Sequence, residues 1–157
     1  MAILGSMARW LSSEEQSVWV AYVRMRQRIE GEIAIGLLRD GISAADYELL
    51  AALSDVQSGH MRAKDLAAAV TWNKSRLSRQ LSRMEARGLV TREPAIDDAR
   101  GLTVALTQEG RKHLERVAPR HVDLVRQLFV DQLTTAEARS LVSLSSKVIA
   151  AADALHS

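Results

Sequence analysis

The stretch Asn73 to Arg87, NKSRLSRQLSRMEAR, decides the reading of this chain. At about 100° per residue on a helix, Arg76, Arg79, Arg83 and Arg87 share an arc of roughly 80°. Leu77, Leu81 and Met84 form an apolar stripe about a quarter-turn away. The pairs Arg79/Arg83 and Arg83/Arg87 are like-charged at i,i+4, and each costs an isolated helix roughly 0.2–0.5 kcal/mol. A face that only had to be soluble would alternate its charges. Repulsion kept on one face points to an external polyanion. Ser75, Ser78 and Ser82 are small enough to let a nucleic-acid backbone approach, so the segment reads as a recognition helix.

The surrounding charge agrees. Between Gly59 and Gly101 there are nine Lys/Arg against five Asp/Glu, a local surplus of +4, and the rest of the chain carries −2. That central footprint suits nucleic acid. With 157 residues, 47% hydrophobic and 25% charged, the chain is long and apolar enough for one domain with a sizeable core. It has no cysteine, which excludes disulfides, thiolate zinc sites and thiol redox sensing. No apolar run approaches a membrane span, and the N-terminus lacks a signal-peptide layout, so the cytoplasm is expected. Met1 to Ser6, MAILGS, reads as an expression scar, with the natural start at Met7.

Helix starts are legible. Ser12-Ser13-Glu14-Glu15, Ser43-Ala44-Ala45-Asp46 and Thr134-Thr135-Ala136-Glu137 each place a hydroxyl three residues before a carboxylate, the capping-box arrangement or its Asp variant. Thr107 is a simpler N-cap. Helices are expected from about Ser13 to Arg39, with a stripe of Val18, Tyr22, Met25 and Ile29, and from about Ala44 to Asp55. A short helix from about Arg62 to Ala69 follows, then the basic helix, with Asn73 as N-cap and Gly88 as stop. The period then changes to two strands, Leu89–Glu93 and Leu102–Leu106, around a polar hairpin loop, Pro94–Gly101. A long helix begins at Thr107, where Pro119 should introduce a kink. A last helix runs from about Thr135 to Leu155.

The expected fold is mainly α with a two-stranded β-wing: a winged helix-turn-helix, residues 43–107, flanked by N- and C-terminal dimerisation helices, residues 7–42 and 108–157, in one intertwined domain. The outer stripes are more than this small core can cover, and a second copy is their natural partner.

At this point the chain resembles the MarR family of bacterial transcriptional regulators, over about Ser12 to Leu155. The resemblance is most specific in LAAAV (66–70), SRLSRQLSRMEARGLVTRE (75–93), the wing-tip Asp98-Ala99-Arg100, and LTQEG (106–110). It implies an obligate homodimer on a pseudo-palindromic operator of double-stranded DNA, repression by default, and frequent release by a small aromatic or phenolic ligand. The thiol-oxidation switch of some members has no residue to act through here.

In such a dimer each basic helix enters the major groove at half-sites roughly 34–36 Å apart. Arg76, Arg79 and Arg83 suit guanine edges or phosphates. Asn73, Lys74, Ser75 and Ser78 lie near the helix N-terminus, where phosphates are favoured. Arg100 at the wing tip suits the minor groove, with Asp98 structuring the wing and Asp97 a turn former. Arg62 and Lys64 are plausible phosphate contacts. Arg87, at the helix end, reads as a cap that neutralises the dipole. Trp19, Tyr22, Met25 and Trp72 could line an effector cavity, or simply pack. His60, His113, His121 and His156 show no metal-ligand spacing, and His121 reads as a dimer-interface histidine with a satisfied partner. No cofactor is indicated. The chain carries no nucleophile elbow, phosphate-cradling glycine loop or His-Glu-x-x-His, so catalysis is not expected. A winged-helix protein–protein module without specific DNA binding is the competing reading.

Overall fold

Three helix ends set the framework. The computed structural model describes residues 9–96 and 98–155, without the side chains at 98 and 99. Residues Met1–Ser6, read above as a scar, Asp97, the Asp98 side chain and His156 therefore lie outside the described residues. Helix α1, Ser13–Arg39, ends in Asp40, Gly41 and Ile42. Gly41 takes φ +81° and the Ile42 N–H returns to the Leu37 carbonyl at 3.0 Å. After α3, Ala63–Ala69, the Trp72 N–H returns to the Ala67 carbonyl at 2.9 Å. After α4, Lys74–Ala86, the Leu89 N–H returns to Met84 at 3.0 Å, with Gly88 at φ +73°. All three are Schellman closures, and each delivers a buried apolar residue, Ile42, Trp72 or Leu89, to the core. In the middle one the left-handed residue is Thr71, at φ +55°, where the others use glycine.

Helix α2, Ala44–Ser54, contributes Leu49, Leu50 and Leu53 to that core. Leu66 of α3 and Leu77, Leu81 and Met84 of α4 pack against them, with Val90, Val104, Leu114 and Val117 closing the other side. The capping boxes at Ser12/Glu15 and Thr134/Glu137 form as expected. At Ser43 only half of one forms: its Oγ accepts from the Asp46 N–H at 3.0 Å. The Asp46 carboxylate turns instead to α4.

The expected two-stranded wing forms, and a third strand joins it. It belongs to a three-stranded antiparallel sheet in the order β1-β3-β2: β1 is His60–Arg62, β2 Val90–Ala95 and β3 Asp98–Leu106. A three-residue strand has no readable period. It exists because His60 and Arg62 pair with Ala105 and Thr103 of β3. Arg62 therefore precedes α3 rather than starting it. The expected polar loop is mostly strand, since Pro94 and Ala95 belong to β2, residues 98–101 to β3, and Ala95 pairs with Asp98. Pro94 is tolerated because β2 is an edge.

Helix α5, Gln108–Leu128, holds Pro119 within its span. Its N-cap is anchored to the wing. Thr107 Oγ1 donates toward the Gly88 and Leu89 carbonyls at 2.7 and 2.9 Å and accepts from the Gly110 N–H at 2.9 Å. A Cβ on Gly110 would stand 2.1 Å from the Leu89 oxygen, so glycine is what lets α5 seat there. A 3₁₀ turn, Val130–Gln132, leads to α6, Thr135–Ala154, which buries none of its residues in the protomer.

Candidate nucleic-acid interface

Helix α4 divides as its sequence suggests. Leu77, Gln80, Leu81 and Met84 are buried, while Asn73, Lys74, Ser75, Arg76, Ser78, Arg79 and Arg83 are exposed. Asn73 is the N-cap, its Oδ1 accepting from the Arg76 N–H at 2.8 Å. Ser82 Oγ donates to the Ser78 carbonyl at 3.0 Å.

The three outward arginines are held differently. The Arg76 guanidinium stacks 3.7 Å over the Trp72 ring, a cation–π contact that flattens it against the turn. Arg83 Nη2 donates to Gln80 Oε1. Arg79 has no hydrogen bond or ion pair among the described residues and is free to adapt.

Between α3, α4 and the wing lies a cleft of about 450 Å³. Ala67, Leu77, Leu81 and Leu102 form its apolar floor, and Arg62, Lys64, Lys74, Ser78, Arg92 and Arg100 its rim. Residues from four separate segments, chosen on sequence alone as DNA contacts, thus meet around one concave basic surface. Arg92 was not among them. Its Nη2 and Nε donate to Glu85 Oε2 at 2.6 and 3.0 Å and its N–H to Oε1 at 3.1 Å, tying the wing to α4. The Arg92 hydrogen bonds hold the Glu85 carboxyl below its ordinary range.

Arg87 does more than cap. Its Nε donates to the Arg83 carbonyl at 3.1 Å, as a capping cation would. Its Nη1 and Nη2 reach Asp46 Oδ2 and Oδ1, each at 2.8 Å. Gln80 Nε2 adds a bond to Asp46 Oδ1 at 2.6 Å. Burial raises the Asp46 pKa, but the hydrogen bonds from Arg87, Gln80 and Ser43, with the Arg87 charge, outweigh it and leave it lowered. Sequence reasoning missed Asp46 and Gln80. The signal was present: each sits in an i, i+3, i+4, i+7 core stripe, Asp46 with Leu49, Leu50 and Leu53, and Gln80 with Leu77, Leu81 and Met84. A polar side chain in such a stripe needs a buried partner.

The residues considered for an effector cavity separate. Trp72 is buried in the core beneath Arg76, whereas Trp19, Tyr22 and Met25 lie on the exposed face of α1, with Trp19 and Tyr22 rings 5.7 Å apart. Within the protomer His121 packs against Tyr47, ring centroids 4.3 Å apart and tilted by 44°, and its buried Nδ1 has no hydrogen-bond partner among the described residues. Burial lowers its pKa. His121 lines a second cleft, about 280 Å³, between α1 and α5, with Gly36, Leu37, Arg39, Asp40, Arg120 and Leu124.

A basic helix seated on a short helix and flanked by a β-hairpin defines a winged helix-turn-helix DNA-binding protein. The MarR family model matches residues 40–101, which hold α2 to the wing. The chain is similar to the transcriptional regulator HosA of Escherichia coli O157:H7, 34% identical over 108 residues, 69% of this chain and 78% of that protein. It is also similar to two MarR family regulators from Streptomyces coelicolor. AbsC is 36% identical with a TM-score of 0.85, covering 94% of this chain and 98% of that one. Sco3205, solved in complex with DNA, is 38% identical with a TM-score of 0.86, covering 90% and 89%. The chain belongs to the MarR family and is a transcriptional regulator of that family.

Proposed function

We propose that the chain is a sequence-specific regulator that binds a pseudo-palindromic operator of double-stranded DNA as a homodimer. The carrying observation is the basic-rimmed cleft, with Arg79 and Arg83 exposed on the same recognition helix. In this reading Arg76, Arg79 and Arg83 address base edges or phosphates in the major groove. Lys74, Ser75, Ser78, Arg62 and Lys64 address phosphates, and Arg100 addresses the minor groove.

The outer helices support a second copy. Helices in proteins draw most of their stability from packing an amphipathic face, yet α6 leaves Val142, Leu144, Val148 and Ile149 exposed. Val18, Trp19 and Tyr22 of α1 are exposed too. Apolar surface on this scale marks an interface. Residues 7–42 and 108–157 are accordingly proposed as the dimerisation region and 43–107 as the DNA-binding region.

The proposal includes repression in the cytoplasm, without catalysis, and release by a small aromatic effector. The α1–α5 cleft, near the lower size for ligand pockets, suits a single-ring compound. Calorimetry with salicylate-like aromatics tests that element: no heat, and no change in DNA binding, removes it.

Selection of preferred sequences from random duplexes by the purified protein tests the whole. A single inverted repeat with steep salt dependence is expected. Weak, sequence-indifferent binding would instead leave a protein–protein module. An Arg79→Ala/Arg83→Ala variant with unchanged affinity overturns the placement of the interface.

A further inference from the structure

We propose that Gln80 is a positioning residue that fixes the Arg83 guanidinium for base reading, its own amide being oriented by Asp46. The inference rests on the DNA-binding reading above and adds a residue that does not touch DNA.

The chemistry of the chain Asp46–Gln80–Arg83 allows one arrangement. An ionised carboxylate has only acceptors, so the Gln80 atom 2.6 Å from Asp46 Oδ1 is the amide nitrogen. The amide oxygen then faces the other way, toward Arg83, whose guanidinium has only donors. Both ends of the amide are matched, and a flip would leave two mismatches. Asp46 cannot turn aside, because Arg87 takes both its oxygens and the Ser43 cap holds its backbone. Asp46 and Gln80 are only 1% and 6% exposed, so water offers little alternative. Arg83, by contrast, is exposed, and an untethered arginine there would lose more rotamer freedom on binding.

One N–H of Arg83 is committed to Gln80, and the remaining N–H groups stay available for a base edge. Arg79, without such a tether, can follow the backbone instead. The structure thus separates two neighbouring arginines by preorganisation, which their sequence positions do not.

The test uses operator duplexes from the selection, each base pair varied singly, with fluorescence anisotropy on wild type, Arg83→Ala, Gln80→Ala and the double variant. Arg83→Ala is expected to abolish discrimination at one base pair of each half-site. Gln80→Ala should weaken discrimination at that same pair, lower affinity for the preferred operator about tenfold, and leave the salt slope unchanged. The double variant should be no worse than Arg83→Ala. A loss equal across all duplexes, discrimination unchanged at that pair, or an Arg83→Ala variant that discriminates normally overturns the proposal.

A second measurement needs no variant to fold. In guanidinium-selective nitrogen NMR of the free wild-type protein, Arg83 should show slowed rotation about Nε–Cζ while Arg79 rotates freely. Equal rotation overturns the proposal. If wild type selects no preferred site, the DNA-binding reading fails instead, and the two failures remain distinct.

Discussion

Arg87 and Asp46, 41 residues apart, meet through two parallel 2.8 Å hydrogen bonds that join the end of α4 to the start of α2. The carboxylate is buried and the guanidinium is half in water, so the arginine is the partner that can be removed without a cavity. Arg87→Ala leaves Asp46 with Gln80 and Ser43 as hydrogen-bond partners and no cation. The full penalty for breaking a buried pair is discounted here by the exposure of Arg87, to roughly 2 kcal/mol. Urea unfolding at fixed protein concentration measures it, and a loss under about 0.5 kcal/mol would mean that the bridge is merely a surface pair.

Asp46 and His121 both give the stability a pH signature. The lowered Asp46 pKa stabilises the fold above its unfolded value of 3.8, and that contribution disappears as pH falls through the still lower folded value. His121 has the opposite chemistry. Burial lowers its pKa from 6.5, so below that pH the unfolded chain binds a proton that the folded chain refuses. Stability should therefore decline as pH falls below 6.5, until the folded histidine itself protonates. Melting curves from pH 8 to pH 4 should show a shallower decline for His121→Phe than for wild type. Parallel curves would count against the buried, neutral histidine.

Gly110→Ala should be the most damaging single methyl in the wing region. The added carbon meets the Leu89 carbonyl oxygen, which is backbone, and Leu106 Cδ1 at 2.9 Å. The Leu106 methyl can rotate away, but the backbone oxygen cannot move without lifting α5 from the wing. A cost of about 3 kcal/mol corresponds to a melting temperature lower by about 10 °C. A thermal melt within 2 °C of wild type would refute the close approach.

Thr71→Gly should stabilise. A β-branched residue in the left-handed region carries strain that glycine relieves, partly offset by the entropy glycine adds to the unfolded chain. A net gain of about 1 kcal/mol would raise the melting temperature by about 2–4 °C. A lower melting temperature would show that the Thr71 side chain contributes something that its exposed position does not reveal.

Val148→Glu tests the proposed pairing. Val148 is exposed in the protomer, so the charge should leave the fold of the single chain intact. Sedimentation should then give a monomer, and operator affinity should fall about 100-fold as the two half-sites lose their linkage. A dimer of wild-type stability would move the interface away from this face of α6.

Legibility in the sequence followed the range of each interaction. Capping residues, glycine stops and the stripes of α2 and α4 act within a few positions, so their helices were readable almost to the residue. Strand β1 was not, because three residues hold no period and only pairing with β3 makes them a strand. The basic residues of the site were legible as residue types, and their convergence on one cleft was not.

What the sequence by itself determined is the recognition helix: its length, its charged face and the stop at Gly88 follow from residues in contact through the helix or its cap. What only the tertiary structure decided is what each arginine on it does. Arg76 lies on Trp72, Arg83 is tethered to Gln80, Arg87 is withdrawn to Asp46, and Arg79 has no partner among the described residues. The physical reason is that Asp46 reaches α4 across the core from α2. Local periodicity marks Asp46 as a polar group that needs a buried partner, but it does not name a partner 41 residues away.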